Sequence, residues 1–350
     1  MPDLRSRQDF LYKVLIVFGF VLLGALLLQA LSVIPLVFGA ILVALLFRSL
    51  ADPLARWSGL PESMALTASV LLVFGLIAGA VWLMGDAVRT QLMVLSQAVP
   101  AAWEALEARL DDWGLAEQVE AMIADLTPSG SGIVSSVGGF AMSFGSGLAD
   151  LLLILVGGVY LAAQPKLYRT GLLKLVPPRR RQLAAEALDD SGRSLRLWLI
   201  GQLVAMVIIG TVTGVGLWLL GVPSALTLGI LAGLLEFVAI IGPIIAAIPA
   251  LLIALTQGVD MALWTLALYV VVQQLESNLL QPIIQQKAVD LPPALLLFSI
   301  VVGGLLFGLI GVLLAAPMTV LAYVLIKRLY VVEALDTPTP IPGGTAERPD

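Results

Sequence analysis

The 350-residue sequence contains no cysteine and no histidine. Without cysteine there are no disulfides and no thiolate metal sites, and without histidine there is no Ser-His or Cys-His catalytic pair. No ATP-binding P-loop occurs either. The sequence therefore predicts a protein that is not an enzyme and holds no cofactor or metal. Any proton-coupled mechanism has to use carboxylates.

Charge is also scarce, because Asp, Glu, Lys and Arg make up only 12% of the chain. A soluble domain carries about twice that share, whereas hydrophobic residues here reach 59%, with a mean hydropathy of +1.02. This composition predicts an all-α, polytopic membrane protein with about eight transmembrane helices plus re-entrant or broken helices. The net charge of −5 argues against a nucleic-acid partner and leaves membrane lipid as the expected surrounding.

The apolar runs have membrane-spanning length or slightly less. Several are shorter than the roughly 20 residues that a straight transmembrane helix needs, so we expect some to be re-entrant hairpins rather than crossings. The runs are Val14–Leu31, Ile34–Phe47, Met64–Met84, Leu148–Ala163, Trp198–Leu220, Ala225–Ile241, Ile244–Thr256, Met261–Gln273, Ala294–Leu309 and Val312–Ile326.

The distribution of charge predicts the orientation of the chain. Segment Lys166–Arg196 holds eight basic and three acidic residues, whereas Asp86–Asp125 holds two basic and eight acidic ones. Because basic loops stay in the cytoplasm, the first segment is expected inside and the second outside. The remaining basic residues agree with this assignment. The sequence therefore predicts a multipass protein of the inner membrane with both termini cytoplasmic.

The layout divides the chain into five regions. They are residues 1–85 (N-terminal transmembrane helices), 86–147 (an extracytoplasmic amphipathic helical segment and a Gly/Ser-rich stretch), 148–220 (transmembrane helices with a basic cytoplasmic loop at 165–197), 221–332 (a core with broken helices) and 333–350 (a disordered tail).

The apolar stripe Leu92–Trp113 fits packing on the membrane surface or a subunit contact. Small residues four apart from Ser131 to Gly147 fit close helix packing or a hinge. Together they predict a homo-oligomer.

A polar cluster interrupts the apolar C-terminal half. Polar side chains are expensive in hydrocarbon, so such a cluster normally faces protein, water or a ligand. Neighbouring prolines predict an irregular backbone, which survives at membrane depth only beside protein or a water-filled cavity. The candidate binding residues of the cluster are Gln273, Gln274, Glu276, Asn278 and Gln281. Helix breaks and gating are expected at Gly242, Pro243, Pro249, Pro282, Pro292, Pro293, Gly308, Gly311 and Pro317.

Glu236 is the sixth candidate, because it lies in the middle of an apolar run, where a carboxylate must be neutral, paired or hydrated. One interpretation is a structural hydrogen bond to Gln202, Gln273 or Gln274. The other is binding of a substrate or a proton, since intramembrane carboxylates tend to mark pathways. For Glu276, gating or binding competes with the behaviour of a solvated loop.

Two stretches of the C-terminal half resemble each other. PSALTL from Pro223 compares with PPALLL from Pro292, and Pro249 compares with Pro317, at an offset near 70 residues. Because the predicted orientation puts Pro223 outside and Pro292 inside, the two copies would enter the membrane from opposite sides. An inverted repeat of interrupted helices is the architecture of secondary transporters, whose substrate sites lie near the repeat interface.

The same half carries three runs that resemble the signatures of one membrane-protein family. They are GLLEFVAIIGPIIAAIP (Gly233–Pro249), ESNLLQPII (Glu276–Ile284) and VDLPP (Val289–Pro293), the last followed by GGLLFGLIGVLLAAP (Gly303–Pro317). On these runs the chain is similar to the autoinducer-2 exporter (AI-2E, PerM-like) family, which usually has a proline where Ala239 stands.

The resemblance implies a secondary transporter that exports autoinducer-2, a small polyhydroxylated quorum-sensing signal, with region 221–332 as the transport core. Amides and carboxylates of the polar cluster offer the donors and acceptors that a hydroxyl-rich neutral solute needs. The resemblance also permits a monovalent-cation (sodium or lithium)/proton antiporter that uses Glu236. A non-transporting membrane scaffold is the third alternative, although it leaves the intramembrane carboxylate without a role.

Overall fold

The computed structural model describes residues 33–79, 149–238, 241–282 and 291–337, together with the single positions 18, 31, 82 and 339. Within these residues the regular structure is helical and contains no strand, which confirms the predicted all-α class. The predicted extracytoplasmic segment 86–147, with its apolar stripe and its small-residue face, lies outside the described residues. So do residues 340–350 of the tail.

The N-terminal helices pack around α1 (Val33–Ser58). Helix α2 (Glu62–Gly79) begins just after Pro61, and α3 (Ala149–Ala163) crosses α1 closely. A Cβ atom on Gly158 of α3 would lie 2.5 Å from the Val43 side chain of α1, so only a glycine allows this approach. The core of this group consists of Phe47, Ala51, Ala65, Leu66, Val73 and Ala162.

Helix α4 (Pro165–Lys174) turns by 89° from α3 at Gln164. Pro165 occupies the first turn of α4, where its missing N–H leaves no hydrogen bond unmade. Helix α4 has no buried residue. Because of the 89° turn, α4 runs nearly perpendicular to α3. A short 3₁₀ turn (Pro178–Arg180) leads from α4 to the next helix.

Helix α5 (Arg181–Leu220) is the axis of the described fold. Its 40 residues make it about 60 Å long at 1.5 Å per residue. Its first part carries most of the charges, and its second part, from Trp198, is apolar. Helix α1 and three later helices pack against it, so positions along α5 serve to locate the other elements.

Helices α6 (Ala225–Leu235) and α7 (Ile241–Leu255) form the first hairpin. At 1.5 Å per residue they are about 16 and 22 Å long, shorter than the ~30 Å hydrocarbon core of a bilayer, so neither crosses it alone. The open end of this hairpin lies at the C-terminal end of α5, where Gln257 donates a hydrogen bond to the Gly221 carbonyl. Its tip follows Leu235.

Helix α8 (Val259–Leu275) continues through a π-helical turn (Glu276–Leu280) to Pro282, the last described residue before a gap. It packs on both α5 and the first hairpin. Leu268 contacts α5 at Gly216, and the Tyr269 hydroxyl donates a 3.2 Å hydrogen bond to the Ala246 carbonyl of α7.

Helix α9 (Pro293–Ile326) forms the second hairpin, because it bends back at Gly308. The φ of 61° and ψ of −143° at Gly308 lie in a region that is essentially restricted to glycine. The two arms, residues 293–307 and 309–326, touch where Gly303 meets Gly311. The second arm ends in a π turn (Lys327–Val332), in which Arg328 pairs with Glu186 near the start of α5. The two hairpins therefore have their open ends at opposite ends of α5.

Among the described residues, four helices are long and apolar enough to cross a membrane, or five if α3 and α4 count as one bent span; the four include α9, which the bend at Gly308 divides into two arms. Large apolar side chains point outward from several helices, including Trp218 at 70% and Leu305 at 82% exposure. Such surfaces suit contact with lipid and confirm the predicted membrane protein. The count of about eight spans includes segments outside the described residues and stays a prediction.

Candidate functional site

Glu236 occupies the tip of the first hairpin, directly after the last residue of α6, and is 3% exposed. Its backbone carbonyl accepts a 2.7 Å hydrogen bond from Nε2 of Gln202, in the apolar part of α5. Its side-chain Oε2 has no hydrogen-bond partner among the described residues. The structure thus uses Gln202 to hold the backbone of the tip and leaves a buried carboxylate oxygen available for a ligand.

Glu276 is the second buried carboxylate, at 6% exposure, and it opens the π turn of α8. Gln273 donates to its Oε2 at 2.9 Å, and Gln281 donates to its Oε1 at 3.3 Å. The wider π turn changes the phase of the helix and allows side chains on both sides of the turn to reach one carboxylate. Two amide donors therefore hold Glu276 in a defined position.

The two buried carboxyl groups, at the hairpin tip and at the start of the π turn, lie near enough to interact electrostatically. Two adjacent negative charges in a water-poor environment repel strongly. A shared proton, a monovalent cation or a hydrogen-bond donor of a bound solute would each relieve this repulsion. Within the described ranges, no group of three or more acidic, Cys or His side chains could hold a metal ion.

The remaining two polar candidates lie apart from this pair. Gln274 and Asn278 are exposed, and Asn278 donates a 2.9 Å hydrogen bond to the Gln274 side chain. They are one turn apart on an exposed face of α8. The structure therefore divides the predicted cluster into an exposed pair and a group around the carboxylates. That group consists of Glu236, Gln273, Glu276 and Gln281.

Glycines bring the first hairpin against α5, and sequence reasoning missed them. A Cβ atom on Gly229 of α6 would lie 2.6 Å from the Cα of Gly214, and one on Gly233 would lie 2.6 Å from the Met206 carbonyl oxygen. Gly210 completes the contact on α5. Glycines four residues apart on both helices could have predicted this contact from the sequence, because such spacing permits two helix backbones to touch. The position of Glu236 depends on it.

Trp198 is a further residue near the site that the sequence analysis did not identify. Its ring meets the Phe237 ring of the first hairpin edge to face, with centroids 5.9 Å apart and planes at 75°. It also packs against the core formed by α1, α5 and the second hairpin, which includes Leu195 and Leu314. Trp198 therefore contacts the tip that carries Glu236 and the core around the second hairpin.

Some of the predicted helix breaks coincide with helix boundaries or irregular backbone in the structure, and Pro282 is helical. The helix is interrupted at residues 236–238, directly after Leu235, and Gly242 and Pro243 themselves lie in the first turn of α7, which starts at Ile241. Pro292 and Pro293 are the N-cap and first residue of α9, and Gly308 is its bend. Gly311 is helical but touches the opposite arm.

Pro249 and Pro317 differ from the expectation, because α7 and α9 continue through them. A proline inside a helix removes one backbone hydrogen bond, which neighbouring packing can offset within a membrane bundle. Pro317 is almost fully buried, and Ala246 and Ala250 beside Pro249 are completely buried. Close packing around Pro249 and Pro317 stabilises the helices at these positions, so both helices continue past the prolines.

Comparison with known proteins agrees with this fold. The chain matches the model of the AI-2E family transporters over residues 15–330. It is 28% identical over 303 residues to "Putative transport protein YrrI" of Bacillus subtilis, covering 82% of this chain and 85% of that protein. It is 22% identical over 299 residues to "AI-2 transport protein TqsA" of Escherichia coli, covering 83% and 84%. A match to "Putative permease PerM" of Escherichia coli, 29% identical over 185 residues, covers 50% and 52%. The chain therefore belongs to the AI-2E family of transporters.

Proposed function

We propose that this chain is a secondary transporter that exports a small polar solute, with the Glu236–Glu276 pair at its binding site. The observation that carries the proposal is the pair of buried carboxylates, one at the tip of the first hairpin and one in the π turn of α8, in which Glu236 Oε2 has no described partner. The related proteins support transport in general, since their names describe transport proteins or a permease. Without an ATP-binding motif, the energy comes from an ion gradient or from the gradient of the solute.

The chemistry of the site suits a neutral solute with several hydroxyl groups. The carboxylates of Glu236 and Glu276 accept hydrogen bonds, whereas the amides of Gln273 and Gln281 both donate and accept them. TqsA carries autoinducer-2 in its name. That small polyhydroxylated quorum-sensing signal is therefore the first solute to test.

Alternating access in this proposal comes from the two hairpins. Their open ends lie at opposite ends of α5, and their breaks, at residues 236–238 and Gly308, are about 70 residues apart, the offset of the sequence repeat. We treat them as an inverted repeat that rocks against α5 and opens the site to each side in turn. Trp198, which contacts Phe237 and the core around the second hairpin, would couple their movements.

The proposal places the protein in the inner membrane as a homo-oligomer with both termini cytoplasmic. A single cysteine at Ala108 is expected to react with an impermeant maleimide added outside, whereas one at Ala184 is not. Because the chain has no native cysteine, the whole signal comes from the introduced residue. Light scattering in detergent should give a protein mass of at least twice the 36.9 kDa of one chain.

The carboxylate pair also favours a second candidate, a monovalent-cation/proton antiporter. Carboxylate and amide oxygens are ligands that suit hard cations such as sodium or lithium. In this candidate Glu236 exchanges a proton for the cation, and the amide oxygens of Gln273 and Gln281 complete the coordination. No organic solute is then required.

Proteoliposomes containing the full-length chain separate the two candidates. Efflux of autoinducer-2 is measured with and without an imposed proton or sodium gradient, and cation-driven proton movement is measured without solute. The variants are Glu236→Gln and Glu276→Gln. The matched control is Glu62→Gln, which removes a carboxylate that is 83% exposed and only loosely paired with Arg48.

For the exporter, both site variants should lower efflux at least about tenfold, the effect of one lost hydrogen bond to a charged group, and Glu62→Gln should leave it unchanged. Proton movement driven by a cation alone, and lost in Glu236→Gln, would establish the antiporter instead. Equal solute efflux in wild type and both site variants would contradict the proposed site.

A further inference from the structure

A cavity of about 630 Å³ lies far from the carboxylate pair, between the α4–α5 connection and the end of α9. Its walls are mainly aliphatic and come from three places in the chain. Leu172 and Leu173 belong to α4, Leu183 to the first turn of α5, and Leu325 and Leu329 to the end of α9 and its π turn. A volume of this size is in the range of small-molecule sites, and these walls suit a hydrocarbon chain.

Two arginines, Arg179 and Arg180, also line the cavity. Neither side chain makes a hydrogen bond or an ion pair with another described residue, and both residues are exposed. Arg181, by contrast, donates to the carbonyls of Val176 and Lys174. One acidic residue, Glu333, lines the opposite wall and is exposed. The lining therefore has a net positive charge, and two guanidinium groups remain available for an anion.

The cavity adjoins helix α4, which runs crosswise to α3 at 89°. Helix α4 and its C-terminal end expose large apolar side chains, including Leu167 at 61%, Leu172 at 51% and Leu175 at 82%. The helix also carries three basic residues, Lys166, Arg169 and Lys174. Exposed apolar groups together with basic ones are the features of a helix that lies in the surface plane of a membrane. The mouth of the cavity then lies at the level of the lipid headgroups.

We infer that this cavity binds one anionic phospholipid, with its phosphate at Arg179 and Arg180 and an acyl chain along the leucines of α4, α5 and α9. The arginines match the phosphate, and the aliphatic walls match the chain, which a free phosphate ester lacks. The lipid bridges the α4–α5 connection and the last turns of the second hairpin. This inference is independent of the proposed solute site.

Native mass spectrometry of the full-length chain in detergent tests the inference with phosphatidylglycerol, phosphatidylcholine and glycerol 3-phosphate as probes. The wild type should retain one phosphatidylglycerol per chain in preference to phosphatidylcholine. Replacing Arg179 and Arg180 together by Gln should weaken that retention about thirty-fold, since each basic residue near an anionic headgroup contributes roughly a five-fold preference. The control that replaces Lys166 and Lys174 by Gln removes the same charge from α4 outside the cavity and should retain the lipid.

A second measurement keeps the inference testable if the double Gln variant folds poorly. Ala184→Cys places a thiol in the cavity wall of an otherwise cysteine-free chain with both arginines intact. Phosphatidylglycerol in phosphatidylcholine vesicles should slow the reaction of this thiol with a membrane-permeant maleimide, compared with vesicles of phosphatidylcholine alone. Arg179→Lys and Arg180→Lys introduced together should retain part of that protection, and equal rates in both kinds of vesicle would overturn the inference.

Three results of the mass spectrometry would also overturn the inference. The first is equal retention of phosphatidylglycerol and phosphatidylcholine by the wild type. The second is a loss in the Lys166 and Lys174 control as large as in the arginine variant, which would indicate only general attraction to charge. The third is binding of glycerol 3-phosphate as tight as that of phosphatidylglycerol, because the site would then take a free phosphate ester.

Discussion

The contact between α5 and α6 gives the sharpest test of how the first hairpin is positioned. Replacing Gly229 by Ala puts a Cβ atom 2.6 Å from the Cα of Gly214 and 2.7 Å from the Gly210 carbonyl oxygen, whereas ordinary contacts of this kind lie at 3.4–4 Å. All of the obstructing atoms belong to the backbone, so no side chain can move aside. The two helices then have to separate by roughly 1 Å before the contact is normal.

The magnitude follows from two opposing terms. Alanine is favoured over glycine in a helix interior by about 1 kcal/mol, and overpacking costs about 1–3 kcal/mol, with the upper end expected against backbone. Gly229→Ala should therefore destabilise the protein by about 1–2 kcal/mol. Gly192→Ala in α5 meets nothing within 4 Å and should stabilise it by about 1 kcal/mol. Gly216→Ala meets only the flexible Leu268 side chain and should fall between them.

Thermal unfolding of the three variants in one detergent, followed by the loss of monodisperse protein, gives their order of stability. Solute efflux in proteoliposomes should follow the same order, because the displaced α6 carries Glu236 with it. If Gly229→Ala is as stable and as active as Gly192→Ala, the close contact between α5 and α6 is not what positions the hairpin. That result would refute the reasoning.

Three further predictions concern single side chains around the hairpins. Gln273→Leu should lower efflux about tenfold, because it removes a hydrogen-bond donor from the Glu276 carboxylate. Gln274→Leu, on the exposed face of α8, should have little effect in the same assay, and equal losses would contradict the separation of Gln274 from the carboxylate group. Gly308→Ala should destabilise the protein by about 1–3 kcal/mol in thermal unfolding, because its φ of 61° is strained for alanine, and unchanged stability would argue against the bend. Trp198→Ala should cost at least about 0.5–1.5 kcal/mol from the lost ring contact, and Trp198→Phe should recover part of it; no recovery with Phe would show that the ring edge is not what matters.

Much of this arrangement could be predicted from sequence, because hydrophobicity and polar exceptions act locally. The short apolar runs predicted re-entrant hairpins, and α6 and α7 are too short to cross a bilayer separately. A carboxylate amid apolar residues is costly enough to mark Glu236 without knowledge of the fold. The polar cluster likewise marked Glu276, which the structure places beside it.

Other features depend on long-range packing and backbone phase, which residue types alone do not determine. Gln273 lies three residues before Glu276 on the same helix face, but the π turn that begins at Glu276 is what brings Gln281, five residues further on, to the same carboxylate. The helices continue through Pro249 and Pro317 because buried neighbours support them, and those neighbours come from distant parts of the chain.

The account depends most on the claim that Glu236 and Glu276 form one shared site. A double-mutant cycle of solute efflux tests it directly, using Glu236→Gln, Glu276→Gln and the two together in proteoliposomes. If the carboxylates act as a unit, the double variant should lose no more efflux than the more damaged single variant. If the two losses multiply, the residues act independently and the shared site is contradicted.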